Sequence, residues 1–488
     1  MSAAAAALIE WPDDTFDEYR LALWTSAELA EATGGVASGA FEVSGVEIDS
    51  RDVVEGDLFV ALRGETTDGH RFLEAAFAKG AAAAVVDREI DYPHILVRDT
   101  ARALEALARA RRAHLAPTSV VLGVTGSVGK TSVKEALFAA LDRASHGRAH
   151  RSVKSYNNHV GVPLSLARTP PDTRFGVFEM GMNHAGEIAA LTAQVRPHVA
   201  VITNIAPAHI ENLGSEEAIA EAKAEIFAGL QPGGVAVIPA DGPHFARLRD
   251  AARRAGASVV SFGRSAQANV RLLDAVAAPG GGSLVTADLG DRRLCYTVAA
   301  PGEHWIINSL AVMAAVRAAG GDLGAAGLAL AELEGLKGRG ARHEIAAKDG
   351  TALLIDESYN ANPASMAATL AQLGATPARR RIAILGAMKE LGEHGPQFHA
   401  DLAGPLAAAR ADYAVLVGDE MSPLADELGK SAGGALGKTI PFAHCQSTAE
   451  ALAALAEWGL EGGDVLLVKG SNSVGLGKLV EALTQGQG

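Results

Sequence analysis

The sequence predicts an α/β fold divided into three domains, each built on a mainly parallel sheet. Three observations lead there. The chain has 488 residues, and domains of roughly 100–200 residues imply about three of them. Short apolar runs alternate with helical stretches along nearly the whole length, the pattern of strand–helix–strand units. A glycine-rich turn joins one apolar strand directly to a helix, as a phosphate-binding α/β domain requires.

The blocks follow in order. In the first, residues 56–62 (GDLFVAL) and 81–86 (AAAAVV) are strands, with helices over 71–79 and 100–114. The second helix stops before Pro117, so the first domain takes 1–116. The next block opens with a strand at 119–125 and continues through apolar strands at 175–180, 198–205 and 234–240. Continuous apolar strands suit a sheet covered on both faces. Residues 266–299 read as a meander at the sheet edge, and a helix over 306–319 precedes a Gly/Ala-rich stretch; the central domain takes 117–335. Strands at 351–357, 381–388, 413–418 and 464–471, separated by helices, make 336–488 a Rossmann-like third domain.

Hydrophobic residues are 48% and charged residues 20%, an ordinary globular composition. The net charge of -14 argues against a general affinity for nucleic acid or anionic lipid, both of which need a basic face. It leaves room for a local basic pocket around a phosphorylated ligand. Cys295 and Cys445 lie far apart and outside any metal-ligand spacing, so they read as reduced thiols. The apolar start MSAAAAALIEW has no basic residue before Arg20, unlike a secretory signal, and no run approaches the ~20 apolar residues of a membrane span. A cytoplasmic monomer without membrane insertion or nucleic-acid partner is expected.

The strongest motif is GVTGSVGKTS, residues 123–132, between the strand and the helical stretch VKEALFAALDRA. Glycines turn backbone N–H groups toward phosphate oxygens, and the helix N-terminus adds positive potential. Gly126, Ser127, Gly129, Lys130, Thr131 and Ser132 form the expected ATP loop. Lys130 reaches the β- and γ-phosphates and the Thr131 hydroxyl suits Mg²⁺. Val124 stands where the usual pattern has its first glycine, with Gly123 one place early. The competing reading is a chance glycine-rich turn, which GKTS directly after an apolar strand makes much the weaker.

The form GxTGxxGKTS resembles the ATP loop of the Mur ligases and of their folylpolyglutamate synthetase relatives. Other segments are similar to the Mur ligase family in the same order: residues 49–86 to its UDP-sugar-binding domain, and NNHVGVPLSL, FEMGMNHAGEI, NIAPAHIENLGS and AKAEIF to its central domain. DESYNANPASM and LGAMKELG resemble the D-alanyl-D-alanine-adding branch in particular. The resemblance implies joining of D-alanyl-D-alanine to a UDP-N-acetylmuramoyl tripeptide. ATP would phosphorylate the tripeptide's carboxylate to an acyl phosphate that the amine then attacks, with Mg²⁺ offsetting the gathered negative charge. A diaminopimelate- or lysine-adding member and a non-catalytic nucleotide-binding relative are the alternatives. The missing D-N-P-R segment weighs against the first, and the intact Lys130, Thr131, Glu179, His209 and Lys223 set against the second.

Glu179 ends an apolar strand, where a carboxylate projects into the crevice beyond the sheet; its bland reading is a surface cap. The resemblance makes Glu179 and His209 Mg²⁺ ligands, and makes Lys223 one after carbamylation. From the residues alone, Lys223 reads better as a solvated helix lysine beside Glu221 and Glu225. The resemblance further implies that Asn157 and Asn158 contact substrate or γ-phosphate, that Asn308 lies near the nucleotide, and that Arg342, with Arg339 as its rival, reaches the phosphates. Trp305 occupies a place where the family often has another asparagine. The resemblance also implies that Tyr359 and Asn360, with Asn362 nearby, border the adenine, a buried loop network being the bland reading of Tyr359 and Asn362. Ser50 and Arg51 are the expected UDP-sugar contacts, with Asp68 and His70 supporting the loop, although such loop compositions are common. Lys469 and Ser471 sit at a strand's C-terminal end and face the same crevice.

Overall fold

The apolar runs of the sequence become the inner strands of three sheets in the computed structural model, which describes residues 22–64, 67–207, 210–278, 282–430 and 439–485. Two compact units arise: one is the chain up to Leu115 together with Pro163–Pro171, the other Ala116–Val162 with everything from Asp172 onward.

The first unit carries a five-stranded sheet among the described residues. Its inner strands Asp57–Val60 and Ala83–Val86 are wholly buried and parallel, as their unbroken apolar composition requires. The predicted helix over 71–79 is a 3₁₀ turn, Gly69–Phe72, running into the helix Leu73–Ala78. Helix Thr100–His114 forms where it was predicted, and lays the Arg111 guanidinium 3.9 Å over the Trp24 ring. Trp24 donates its Nε1–H to the Ala167 carbonyl at 2.9 Å, within the same unit.

The second unit holds a nine-stranded and a six-stranded sheet among the described residues. In the larger, Val120–Thr125 lies between Phe175–Glu179 and Val199–Ile202, parallel to both. The connections leave this central strand in opposite directions, so a crevice opens beyond its C-terminal end. The meander expected at 266–299 is present as three antiparallel strands, Val270–Ala277, Ser283–Asp288 and Arg293–Val298. Leu122 and Val124 of the central strand pack with Val133 and Leu137 of helix Lys130–Ser145 and Leu310 of helix Glu303–Ala318, all fully buried. Each such side chain contributes roughly 1.5–3 kcal/mol, which anchors the strand–loop–helix turn between them.

The smaller sheet runs Ala341–Ala347, Gly350–Glu357, Val465–Lys469, Arg381–Gly386, Tyr413–Val417, Phe442–Cys445, parallel after its first pair. The four predicted strands are there. The two outer ones were not foreseen, because Ala341–Ala347 mixes polar and apolar residues and Phe442–Cys445 is only 4 residues long. No helix among the described residues is long and apolar enough to cross a membrane.

Candidate active site

The phosphate loop owes its shape to contacts with the neighbouring strand's exit. Ser127 N donates to the Asn204 carbonyl at 3.1 Å, Val128 N to Asn204 Oδ1 at 2.8 Å, and Ser127 Oγ to the Ala206 carbonyl at 2.8 Å. Gly126 has φ +148°, and a Cβ there would lie 1.9 Å from Thr203 Oγ1. Gly126→Ala is therefore expected to destabilise the protein by about 1–3 kcal/mol and to weaken ATP binding. Thermal unfolding and nucleotide titration check this, and Thr203→Ala in the same chain should recover part of the loss. Asn308, 8% exposed, sits against the loop: a Cβ on Gly129 would be 2.9 Å from its Nδ2.

Helix Lys130–Ser145 opens directly from the loop. Lys130 donates to the Gly126 carbonyl at 2.8 Å. Burial and the nearby Arg339 charge lower its pKa, while Glu179 opposes them. One residue on, Thr131 Oγ1 donates to Glu179 Oε2 at 2.8 Å, and Ser155 Oγ lies 3.3 Å from the same hydroxyl. Glu179 is 0% exposed, so the surface-cap reading does not hold. Asn157 Nδ2 donates to its Oε1 at 2.8 Å, and the Glu179 backbone N–H donates to Ser152 Oγ at 3.1 Å. Hydroxyl and carboxylate oxygens thus converge beside the phosphate loop, the hard donor set that Mg²⁺ takes. Asn158 is an exposed residue whose Oδ1 accepts from Val160 N and Gly161 N.

Lys223 lies in the last turn of helix Glu216–Ala224 and is 1% exposed, not solvated. Burial, then the Lys130 charge, push its pKa well below the usual lysine value. Burial and the Lys130 charge both disfavour an ammonium on Lys223, and an anion beside it would be stabilised. A carbamate on Lys223 would supply that anion and an oxygen donor. His209 lies outside the described residues.

A cavity of about 310 Å³ joins the phosphate loop to the third-domain sheet, with Lys130, Ser132, Asn157, Glu179, Arg339 and Asn360 among its lining. Arg339 crosses between the sheets: Nη2 donates to Ser155 Oγ at 3.4 Å, and its guanidinium stacks 4.4 Å from the Tyr359 ring centroid. Arg342 is exposed on Ala341–Ala347 and is not among the lining residues. Of the two arginines considered, the geometry favours Arg339. Asn360 accepts through its carbonyl from Lys469 Nζ at 2.8 Å, and Lys469 pairs with Glu357 at 3.5 Å. Asn362 caps helix Pro363–Ala375, accepting from Ser365 N at 2.9 Å. Trp305, 3% exposed, forms an apolar wall beside His304, whose pKa burial lowers. Ser471 lines a second cavity of about 390 Å³ with Ser127, Lys389 and Glu390.

In the first unit, Asp68 caps the Gly69–Phe72 turn. It also faces His70 Nδ1 at 2.6 Å and Arg88 at 2.9 Å. On its other side, His70 Nε2 lies 3.2 Å from both the Asp87 backbone N–H and the Asp87 carboxylate. Hydrogen bonds from the His70 backbone and ring hold the Asp68 carboxyl far below the usual carboxylate range. Asp68 and His70 thus brace the Gly69–Phe72 turn and tie it to Asp87 and Arg88. Arg51 is exposed and chelates Asp49, and Ser50 is half-buried beside it.

Ser155, Asn204, His304 and Glu357 were passed over in the sequence. Asn204 and Glu357 follow or end apolar strands, a position that could have marked them. Ser155 and His304 carry no such signal.

The comparisons with known proteins agree along the chain. Models of the Mur ligase middle domain, the Mur ligase glutamate ligase domain and the Mur ligase family catalytic domain match residues 124–316, 341–472 and 42–112. A UDP-N-acetylmuramoyl-tripeptide--D-alanyl-D-alanine ligase from Synechocystis sp. is 37% identical over 90% of this chain and 92% of its own length. The chain belongs to the Mur ligase family. Among solved structures, MurF from Acinetobacter baumannii superposes on this Mur ligase with a TM-score of 0.80 at 31% identity, covering 95% of this chain and 99% of that one. The MurF ligase from Thermotoga maritima, solved in complex with ADP, gives 0.72 at 27% identity, covering 90% and 97%.

Proposed function

We propose that this Mur ligase joins D-alanyl-D-alanine to the tripeptide of a UDP-N-acetylmuramoyl precursor, cleaving ATP to ADP and phosphate. The observation that carries the reading is the phosphate loop facing the buried Glu179 in a chain 37% identical to a ligase of that name. Lys130 and Arg339 draw the γ-phosphate toward the acceptor's carboxylate. An oxygen of that carboxylate attacks phosphorus, ADP leaves, and an acyl phosphate forms. The amine of D-alanyl-D-alanine then adds to the acyl carbon, phosphate departs, and an amide remains. Thr131 and Glu179, with His209 and a carbamylated Lys223, would hold Mg²⁺, which supplies charge neutralisation between phosphate and carboxylate when bound.

Asn157 orients the acceptor end while keeping Glu179 in place. Trp305, His304, Asn308, Tyr359 and Asn360 surround the nucleotide. The second cavity suits a zwitterionic dipeptide, its carboxylate toward Lys389 and its ammonium toward Glu390. Ser50 and Arg51 take the UDP-sugar, and Asp68 and His70 brace the Gly69–Phe72 turn of the same domain. We assign 1–116 to that substrate, 117–335 to ATP and 336–488 to the ligase domain. The protein acts as a cytoplasmic monomer.

Phosphate release from Mg-ATP tests the function: it should require both the UDP-muramoyl tripeptide and D-alanyl-D-alanine. Release with the dipeptide precursor plus diaminopimelate or lysine instead would reassign the substrate. The phosphate arginine is tested separately: Arg339→Ala should lower kcat about 10²-fold, and Arg342→Ala should change it little.

A further inference from the structure

Lys134 is fully buried, and the chemistry above gives it no part. It lies one turn beyond Lys130 and Thr131 on the phosphate-loop helix, so it points to the same side. Its ammonium donates to the Ser152 carbonyl at 2.9 Å and the Lys154 carbonyl at 2.6 Å, and lies 2.8 Å from the Glu135 carboxylate. Glu135 in turn pairs with Arg151 at 2.7 Å, at the end of the edge strand Ala149–Arg151.

Those carbonyls belong to the segment 152–158, which carries Ser152, Ser155 and Asn157 of the surroundings of Glu179. Ser152 Oγ accepts from the Glu179 N–H, Ser155 Oγ lies by Thr131, and Asn157 binds both the Glu179 carboxylate and, through its carbonyl, Gly181 N at 2.7 Å. Backbone bonds from Ser152 N to the Val177 carbonyl at 3.0 Å and from Tyr156 N to the Val153 carbonyl at 3.2 Å also shape the segment. It leaves a strand of 3 residues, and Lys154 has φ +52°, a left-handed conformation that a lysine adopts only when its surroundings impose it. A buried ammonium held by two carbonyls two residues apart is such an imposition. An apolar side chain would fill the space without the cost of desolvating a charge, yet would leave both carbonyls unpaired.

We infer that Lys134 is a positioning residue, fastening the 152–158 segment to the phosphate-loop helix so that an acceptor carried by Asn157 meets the phosphate in register. This rests on the ligase reading. One rigid helix then sets both halves of the site: its first turn holds phosphate, and its second holds the acceptor segment.

The test compares the wild-type chain with Lys134→Met and Lys134→Gln. In Lys134→Met, KM for the UDP-muramoyl tripeptide should rise about tenfold or more, KM for ATP should stay unchanged, and phosphate release should exceed amide formation. Hydrogen exchange read by mass spectrometry should quicken at 152–158 and stay as it was at 120–125, in the protein without substrates. Lys134→Gln keeps a donor for only one of the two carbonyls, so it should give a smaller split of the same kind, and it decides the matter if Lys134→Met does not fold. Unchanged exchange at 152–158, or a Lys134→Met protein that merely has fewer active molecules with wild-type KM values and stoichiometry, would overturn the proposal. A wild-type chain with no tripeptide-dependent turnover would contradict the ligase reading instead, and the exchange result would then judge the fastening by itself.

Discussion

Replacing Lys130 by methionine should lower kcat for tripeptide-dependent phosphate release between about 100- and 1,000-fold. The ammonium is held beside the loop by the Gly126 carbonyl and lies under the field of Glu179. In a cavity closed by Trp305, Met182 and Tyr359, a charge facing the transferring phosphoryl group acts with little screening. Methionine keeps the stem and removes the charge. Binding of the UDP-muramoyl tripeptide should be nearly unchanged in a titration without nucleotide, because Lys130 serves the phosphate side. A variant that loses tripeptide affinity and keeps kcat would show that Lys130 serves the acceptor.

Lys223→Ala should reduce turnover at least about 100-fold, the scale of losing a group that builds a metal site, and should regain part of it when acetate or formate is added. The physical case is burial without a counter-charge. Lys223 is 1% exposed in the last turn of its helix, with Lys130 as its electrostatic neighbour. Proton loss leaves a nucleophilic amine, and addition of CO₂ turns it into an anion that Lys130 stabilises. A small carboxylate diffusing into the space left by the alanine would supply the same charge. Carbon-13 NMR of protein equilibrated with labelled bicarbonate should show a carbamate signal that Lys223→Ala lacks. Full activity in Lys223→Ala would remove the residue from the site.

The parts legible in the sequence were those whose chemistry admits few residue types. The turn between Val120–Thr125 and the following helix needs Gly126, because a Cβ would strike Thr203, and it needs a lysine and a threonine beside phosphate. Glu179 was legible because the end of a buried parallel strand is where such folds aim a side chain. Choice among neighbours was not legible. Arg339 and Arg342 are three positions apart in a run of glycines and basic residues. Only strand pairing settles that Arg342 starts an exposed alternation while Arg339 turns inward from the preceding bend. The burial of Lys134 and Lys223 was equally hidden, since an amphipathic helix with a lysine near its polar residues reads as solvated until its neighbours are in place. His304 had no spacing partner to mark it, and the burial that lowers its pKa comes from packing.

The central claim is that this chain forms an amide through an acyl phosphate, and oxygen tracing tests it most directly. The UDP-muramoyl tripeptide, labelled with ¹⁸O in its reacting carboxylate, would be incubated with Mg-ATP, D-alanyl-D-alanine and the protein, and both products weighed by mass spectrometry. The account predicts a UDP-muramoyl pentapeptide that has lost one labelled oxygen and inorganic phosphate that has gained it. Unlabelled phosphate, or labelled phosphate without the pentapeptide, would contradict it.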